Sequence, residues 1–217
     1  MTPSSEFLCV HATINRTKVL GPGERFALWL QGCEKNCVGC MSLSSRNIDA
    51  GTLLSVDSLL VKILQENNIE GVTISGGEPF LQFKALHNLL RKLREKSSFG
   101  IIIYTGYYLA ELHNMNVPEI DDIIAKYSDI IIDGPYIDEL NDGKSLRGSS
   151  NQTVHFLSSR YKDSASSVYV QDDRKYEIHY NSEEAFLVGI PDKKGYQTWR
   201  SIFTQTQIVK DEQNRGI

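Results

Sequence analysis

Hydrophobic residues along the chain fall into short, almost unbroken runs that alternate with stretches of helical spacing. Residues 25–31, Arg-Phe-Ala-Leu-Trp-Leu-Gln, lie between Gly21-Pro22-Gly23 and Gly32 and predict a buried strand. Between Ser55 and Asn67 the apolar positions Val56, Leu59, Leu60, Ile63 and Leu64 share one helical face, with Ser55 as N-cap. Gly71-Val72-Thr73-Ile74-Ser75 is rich in β-branched residues and stops at Gly76-Gly77, after which Leu86, Leu89, Leu90 and Leu93 mark an amphipathic helix. The same order recurs at Ile101-Ile102-Ile103-Tyr104 before Thr105-Gly106, and at Ile130-Ile131-Ile132 before Asp133-Gly134-Pro135. Apolar strands alternating with helices imply an α/β fold with parallel strands covered by helices. In such folds ligands gather at the carboxyl ends of the strands, so the glycine-rich and polar segments that follow each strand converge on one rim.

Beyond residue 158 the period changes to two. Val168 and Val170, then Tyr176, Ile178 and Tyr180, flank Asp172-Asp173-Arg174 and predict a β-hairpin, followed by a strand over Ala185–Ile190 and a less patterned tail. The expected organisation is residues 1–157 as one α/β domain and residues 158–217 as a small β-rich extension serving as docking platform, lid or edge cap.

Composition narrows the class. A chain of 217 residues that is 41% hydrophobic has enough material for one core and an appendage. The net charge of −4 argues against a protein that neutralises nucleic-acid phosphates. Met1 to Glu6 lacks the basic flank of a targeting signal, and no run approaches the roughly 18 apolar residues of a membrane span. The expectation is a cytoplasmic protein without membrane or nucleic-acid partners. Three of the four cysteines crowd into Cys33-Glu-Lys-Asn-Cys37-Val-Gly-Cys40, which suits metal ligation in a reducing compartment better than a disulfide framework. Soft thiolates suit iron–sulfur clusters or zinc, and spacing alone does not separate the two. A closed zinc site would need a fourth ligand, for which Cys9 and His11 are the candidates; inert thiols are the third reading.

The cysteine spacing resembles the signature of the radical S-adenosylmethionine superfamily, and Ser75-Gly76-Gly77-Glu78-Pro79 resembles its glycine-rich motif that receives the methionine end of the cofactor. Glycines let backbone approach a ligand closely, and Glu78 is suited to accept from the cofactor's ammonium group. Taken alone, the same residues also make an ordinary turn. Gly21-Pro22-Gly23, Gly32-Cys33 through Gly39-Cys40, Tyr104-Thr105-Gly106-Tyr107, and Asp133-Gly134-Pro135 with Arg147-Gly148-Ser149-Ser150-Asn151-Gln152 resemble, in order, the anaerobic ribonucleoside-triphosphate reductase-activating proteins, a family of glycyl-radical activases. The resemblance covers about residues 7–157.

It implies a partial (β/α) barrel and a 4Fe-4S cluster held by Cys33, Cys37 and Cys40 with one open iron. It further implies S-adenosylmethionine bound at the rim and cleaved reductively to a 5′-deoxyadenosyl radical. The implied partners are a larger glycyl-radical enzyme and an external one-electron reductant such as flavodoxin or ferredoxin. Two alternatives stand beside it: radical modification of a peptide or small molecule by an activase-like scaffold, and a non-enzymatic zinc-binding interaction module. Met41 departs from the aromatic residue usual after the last cysteine, and residues 158–217 run past the end of a minimal activase.

Several residues carry paired readings. Tyr104 stands at a strand end as an adenine platform or a core residue. Asp133 is a cofactor or cation contact or a turn former. Arg147 and Asn151 contact cofactor or partner, or stabilise their loop. His11, His87, His113, His155 and His179 are scattered singly and receive no metal role. Trp29 is expected in the core, Trp199 in the packing of the extension, and Cys9 as a small buried residue of the first strand.

Overall fold

The protein is described from a computed structural model covering residues 4–144, 146–163, 174–180 and 185–202. Strand β1 (Phe7–Thr17) pairs antiparallel with β2 (Arg25–Leu30) and with β3 (Thr52–Ser55). Helix α1 (Val56–Leu64), strand β4 (Gly71–Gly76), helix α2 (Phe83–Lys96) and strand β5 (Gly100–Tyr104) follow. Short helices α3 (Leu109–Asn114) and α4 (Pro118–Asp122) lead to β6 (Ile130–Asp133) and β7 (Thr153–Phe156). The strands form one mixed sheet in the order β3-β1-β2-β4-β5-β6-β7. Its centre, β2-β4-β5-β6, is parallel, as the alternation of strand and helix patterns predicts, and antiparallel strands flank it. Ser55 caps α1 as expected, its hydroxyl accepting from the Ser58 N–H at 3.1 Å.

Side-chain alternation explains why the strands read as continuous apolar runs. Phe26, Leu28, Leu30, Val72, Ile74, Ile101, Ile103 and Ile131 face the helices and pack with Leu59, Leu86, Leu89 and Leu90. The intervening residues face the other side, where Ile102, Ile130 and Ile132 pack with Val154 and Tyr161, and Ala27 packs with Leu20 and Val188. Both faces of the parallel strands are therefore covered.

On that second face, at the amino ends of the strands, lies a fully buried arginine. Arg25 Nε donates to Thr73 Oγ1 at 2.7 Å, and Nη2 donates to the carbonyls of Val72 at 2.9 Å and Gly100 at 2.6 Å. Its Nη1 reaches the Pro22 carbonyl and the Tyr161 hydroxyl, each at 3.1 Å. Gly100 is required here, because a Cβ would fall 1.8 Å from the Tyr161 oxygen. One guanidinium thus ties three parallel strands and a residue beyond β7 to the Gly-Pro-Gly turn.

In the extension, β8 (Tyr176–Tyr180) pairs antiparallel with β9 (Ala185–Gly189), and residues 193–202 form a last helix, α5. The expected hairpin arm at Val168 and Val170, with Asp172 and Asp173, lies outside the described residues; the described partner of β8 is the strand expected next in sequence. This pair forms its own sheet and sits on the face of β1 and β2, which replaces the edge-cap expectation. Val188 is buried against Leu20 and Ala27, and the Glu177 carboxylate accepts from Thr17 Oγ1 at 2.7 Å and the Lys18 N–H at 3.1 Å. Cys9 lies in β1 as expected but is only half-buried, its thiol donating to the Ala50 carbonyl at 3.2 Å. No helix among the described residues is long and apolar enough to cross a membrane.

Replacing Arg25 with methionine would leave several buried carbonyls without their donor, so the variant is expected to lose roughly 3 kcal/mol of unfolding free energy in denaturant titration. A loss within the scatter of surface substitutions would show that the guanidinium is dispensable.

Candidate active site

The four loops that follow β2, β4, β5 and β6 meet at the carboxyl rim of the parallel strands. Strand β2 runs through Gln31 and Gly32 into the irregular cysteine loop. Two backbone bonds close the base of that loop, Gly32 N–H to Ser45 O at 2.8 Å and Cys33 N–H to Arg46 O at 3.1 Å. Gln31 braces its return by donating to the carbonyls of Ser44 and Asn47.

The loop after β4 is joined to the same strand end. Gly77 N–H donates to Leu30 O and Glu78 N–H to Gly32 O, both at 2.8 Å, so β2–β4 pairing continues past the strands. A Cβ on Gly77 would lie 2.1 Å from Gly32 O. Gly76 has φ of 109° and would bring a Cβ within 2.3 Å of Leu30 O. At both positions the missing Cβ lets the chain's own backbone approach closely, and both glycines also line the cavity described next.

Glu78 is 1% exposed. Its Oε1 accepts from the Phe80 N–H at 3.0 Å and from Thr105 Oγ1 at 2.9 Å, and its Oε2 accepts from the Gly106 N–H at 2.7 Å. Burial pushes the carboxyl up to about 7, while the Phe80 and Gly106 amides and the Thr105 hydroxyl pull it down. The carboxylate expected to receive an ammonium group therefore already clamps the loop after β5 to the loop after β4. Pro79 opens the turn into α2 and does not line the cavity described next.

The resulting cavity is lined by Cys33, Cys37 and Cys40 together with Gly76, Gly77, Glu78, Tyr104, Thr105 and Gly106. Tyr104 is half-buried there and packs on the second-face core. Burial pushes the Cys33 thiol up; its contact with the Lys35 backbone opposes this, and Glu78 and the other two thiols push it further. Cys40 is likewise raised by burial and by Cys37, against the Ser42 backbone and the Arg46 guanidinium. Cationic iron would displace these protons, as thiolate ligation requires.

The donor set separates the metal readings. Among the described residues no three His, Cys, Asp or Glu side chains stand in metal-holding geometry. The three thiols nevertheless face one cavity, and neither Cys9 nor His11 lines it. His11 has its two ring nitrogens on Gln31 Oε1 at 2.9 Å and Ser44 Oγ at 3.1 Å. Three thiols without a fourth Cys or His suit a cluster that keeps one iron open and do not complete a structural zinc site.

Asp133, Arg147 and Asn151 do not line the cavity. The buried Asp133 accepts from the Leu109 N–H at 2.8 Å and the Thr153 N–H at 3.3 Å, and stands 3.1 Å from His155 Nε2. Arg147 pairs with Asp142 and reaches the Gln152 carbonyl, and Asn151 donates to the Pro135 carbonyl at 2.8 Å. Gln152, inside the same sequence block, does line it. Lining residues that the sequence reading missed include Lys35, Arg46, Tyr136, Leu187 and Ile190. Lys35 Nζ lies 3.9 Å from the Tyr107 ring centre and 3.8 Å from Glu111. Lys35 stands between Cys33 and Cys37 in sequence and Arg46 follows Cys40, but loop spacing carries no orientation. Met41 and Trp29 also line the cavity.

Residues 19–155 match the family model described as a 4Fe-4S single cluster domain. An anaerobic ribonucleoside-triphosphate reductase-activating protein of Escherichia coli strain K12 is 31% identical over 147 residues, covering 64% of this chain and 92% of the relative. The protein of the same name from Vibrio cholerae is 31% identical over 145 residues, covering 63% and 90%. A pyruvate formate-lyase-activating enzyme of Clostridium pasteurianum is 32% identical over 103 residues, covering 45% and 43%.

The Glu78 carboxyl near 7 lies above its unfolded value of about 4.3, so the folded chain holds an extra proton between them. The associated stability is complete below about pH 4.3 and is lost as pH rises through about 7. The thermal midpoint of metal-free protein is therefore expected to fall across that window, with a shallower fall in Glu78→Gln. An equally steep fall in the variant would assign the titration elsewhere.

Proposed function

This chain belongs to the 4Fe-4S single cluster domain family and is a radical S-adenosylmethionine enzyme of the glycyl-radical activase type, and on that premise we propose that it installs a glycyl radical on a partner anaerobic ribonucleoside-triphosphate reductase. The observation that carries the reading is the single cavity in which the three cysteines meet the loops after β4 and β5. A bound cluster and S-adenosylmethionine supply the hard chemistry, one-electron cleavage to methionine and a 5′-deoxyadenosyl radical.

Cys33, Cys37 and Cys40 are proposed to hold the cluster. Gly76, Gly77, Glu78 and Tyr104 would form the bed for S-adenosylmethionine, with Pro79 setting the turn behind it. Glu78 fixes the spacing between the two loops of that bed, which supports a positioning role. Asp133, Arg147 and Asn151 would serve the cofactor indirectly, by holding the rim loops through the backbone bonds given above. Residues 1–157 are proposed as the radical domain, curved as a partial (β/α) barrel, and residues 158–217 as its extension. An external flavodoxin or ferredoxin would deliver the electron, and the cytoplasm is the compartment in which these thiols remain reduced.

Anaerobic reconstitution with iron and sulfide, then dithionite, should yield 5′-deoxyadenosine from added S-adenosylmethionine, detected by chromatography. Alanine at Cys33, Cys37 or Cys40 should abolish iron retention and cleavage together; retained cleavage with full iron content would overturn the ligand assignment. Adding the anaerobic reductase should produce a glycyl-radical signal by electron paramagnetic resonance. Cleavage without that signal would redirect the radical to another acceptor, and a protein that holds only zinc would overturn the reading altogether.

A further inference from the structure

The cysteine loop is tied by backbone bonds at its base, whereas its far end, Gly39 to Met41, is met by α5, which lies outside the family match at residues 19–155. Tyr196 Oη donates to the Cys40 carbonyl at 3.2 Å. One turn earlier on the same helix, Lys193 Nζ lies 2.9 Å from Asp138 Oδ2. Asp138 in turn packs on Gly39: a Cβ there would lie 3.2 Å from Asp138 Oδ1 and 3.3 Å from its Cβ and Cγ. The Tyr136 hydroxyl donates to Asp138 Oδ1 at 2.7 Å and holds that side chain in place.

The helix is itself anchored. Arg174, just before β8, donates to the carbonyl of Pro191 at 3.2 Å and to those of Lys144, Arg147 and Gly148 at 2.9–3.0 Å. The segment entering α5 is thereby fastened to the rim loop that follows β6. The extension reaches the cysteine loop directly at the Cys40 carbonyl and indirectly, through Asp138, at Gly39, by way of a helix whose start is fixed.

We infer that α5 is a clasp on the cluster-binding loop and that Tyr196 is a positioning residue for Cys40. The inference rests on the cluster reading of the preceding subsection. A loop already held in place loses less conformational freedom when it closes around a ligand, so the ligand leaves more slowly. Partners that orient metal ligands from behind act in this way. The Tyr196 hydroxyl carries most of the effect, because the Lys193–Asp138 pair is half-exposed and screened by solvent.

The test uses full-length protein reconstituted anaerobically as wild type, Tyr196→Phe and Tyr180→Phe. Tyr180 is 83% exposed and serves as a control for loss of a tyrosine hydroxyl. Iron release to a chelator, the electron paramagnetic resonance signal of the reduced cluster, and the thermal midpoint of the metal-free chain are read together. Tyr196→Phe is expected to release iron about tenfold faster and to broaden the signal, with the metal-free midpoint unchanged. Iron release equal to wild type would overturn the clasp and leave the cluster reading standing. Faster release accompanied by a lowered metal-free midpoint would assign Tyr196 to general stability and overturn the positioning role. Wild-type protein that takes up no iron would overturn the cluster reading and the clasp with it.

Discussion

Two backbone hydrogen bonds, from Gly77 to Leu30 and from Glu78 to Gly32, hold the cysteine loop and the glycine-rich loop at a fixed separation. They extend the parallel pairing of β2 and β4 beyond the strands themselves. The contact leaves no room for a Cβ, so the paired glycines answer first to backbone packing. Any chemistry at this rim depends on that joint, because it sets where Cys33 begins and where Glu78 points.

The two ends of the parallel sheet solve opposite problems with buried ionisable groups. At the amino ends, Arg25 gathers strand carbonyls and the Tyr161 hydroxyl beneath the second face. At the carboxyl ends, Glu78 gathers the Phe80 amide of its own loop together with the Gly106 amide and the Thr105 hydroxyl of the neighbouring one. Each group is surrounded by partners of complementary hydrogen-bonding type, which offsets the cost of removing it from water. The rim can remain irregular in backbone while keeping a definite shape, as a bed for a cofactor requires.

Residues after the family match are part of this arrangement. Leu187 and Ile190 stand in the wall of the cysteine cavity, Val188 closes the second-face core, and Arg174 binds the rim loop that carries Arg147 and Gly148. The extension lies over the face of β1 and β2, where a site wall is needed. An edge strand there would only have lengthened the sheet.

Periodicity along the chain determined the parallel α/β core, the Ser55 cap and the order in which loops arrive at the rim, because these depend on neighbours in sequence. Cys33, Cys37 and Cys40 were legible for the same reason: their spacing confines three thiols to one loop. The sequence could not say that the glycines of Gly76-Gly77 approach Gly32 and Leu30, that Glu78 is occupied by Thr105 and Gly106, or that Asp133 turns to the backbone of α3 and β7. Nor did the buried strand predicted over residues 25–31 say what would satisfy the Arg25 guanidinium, since Thr73, Gly100 and Tyr161 come around it only in the folded chain. Those facts involve residues tens of positions apart, and they exist only once the sheet has set its register and the extension has folded back onto it.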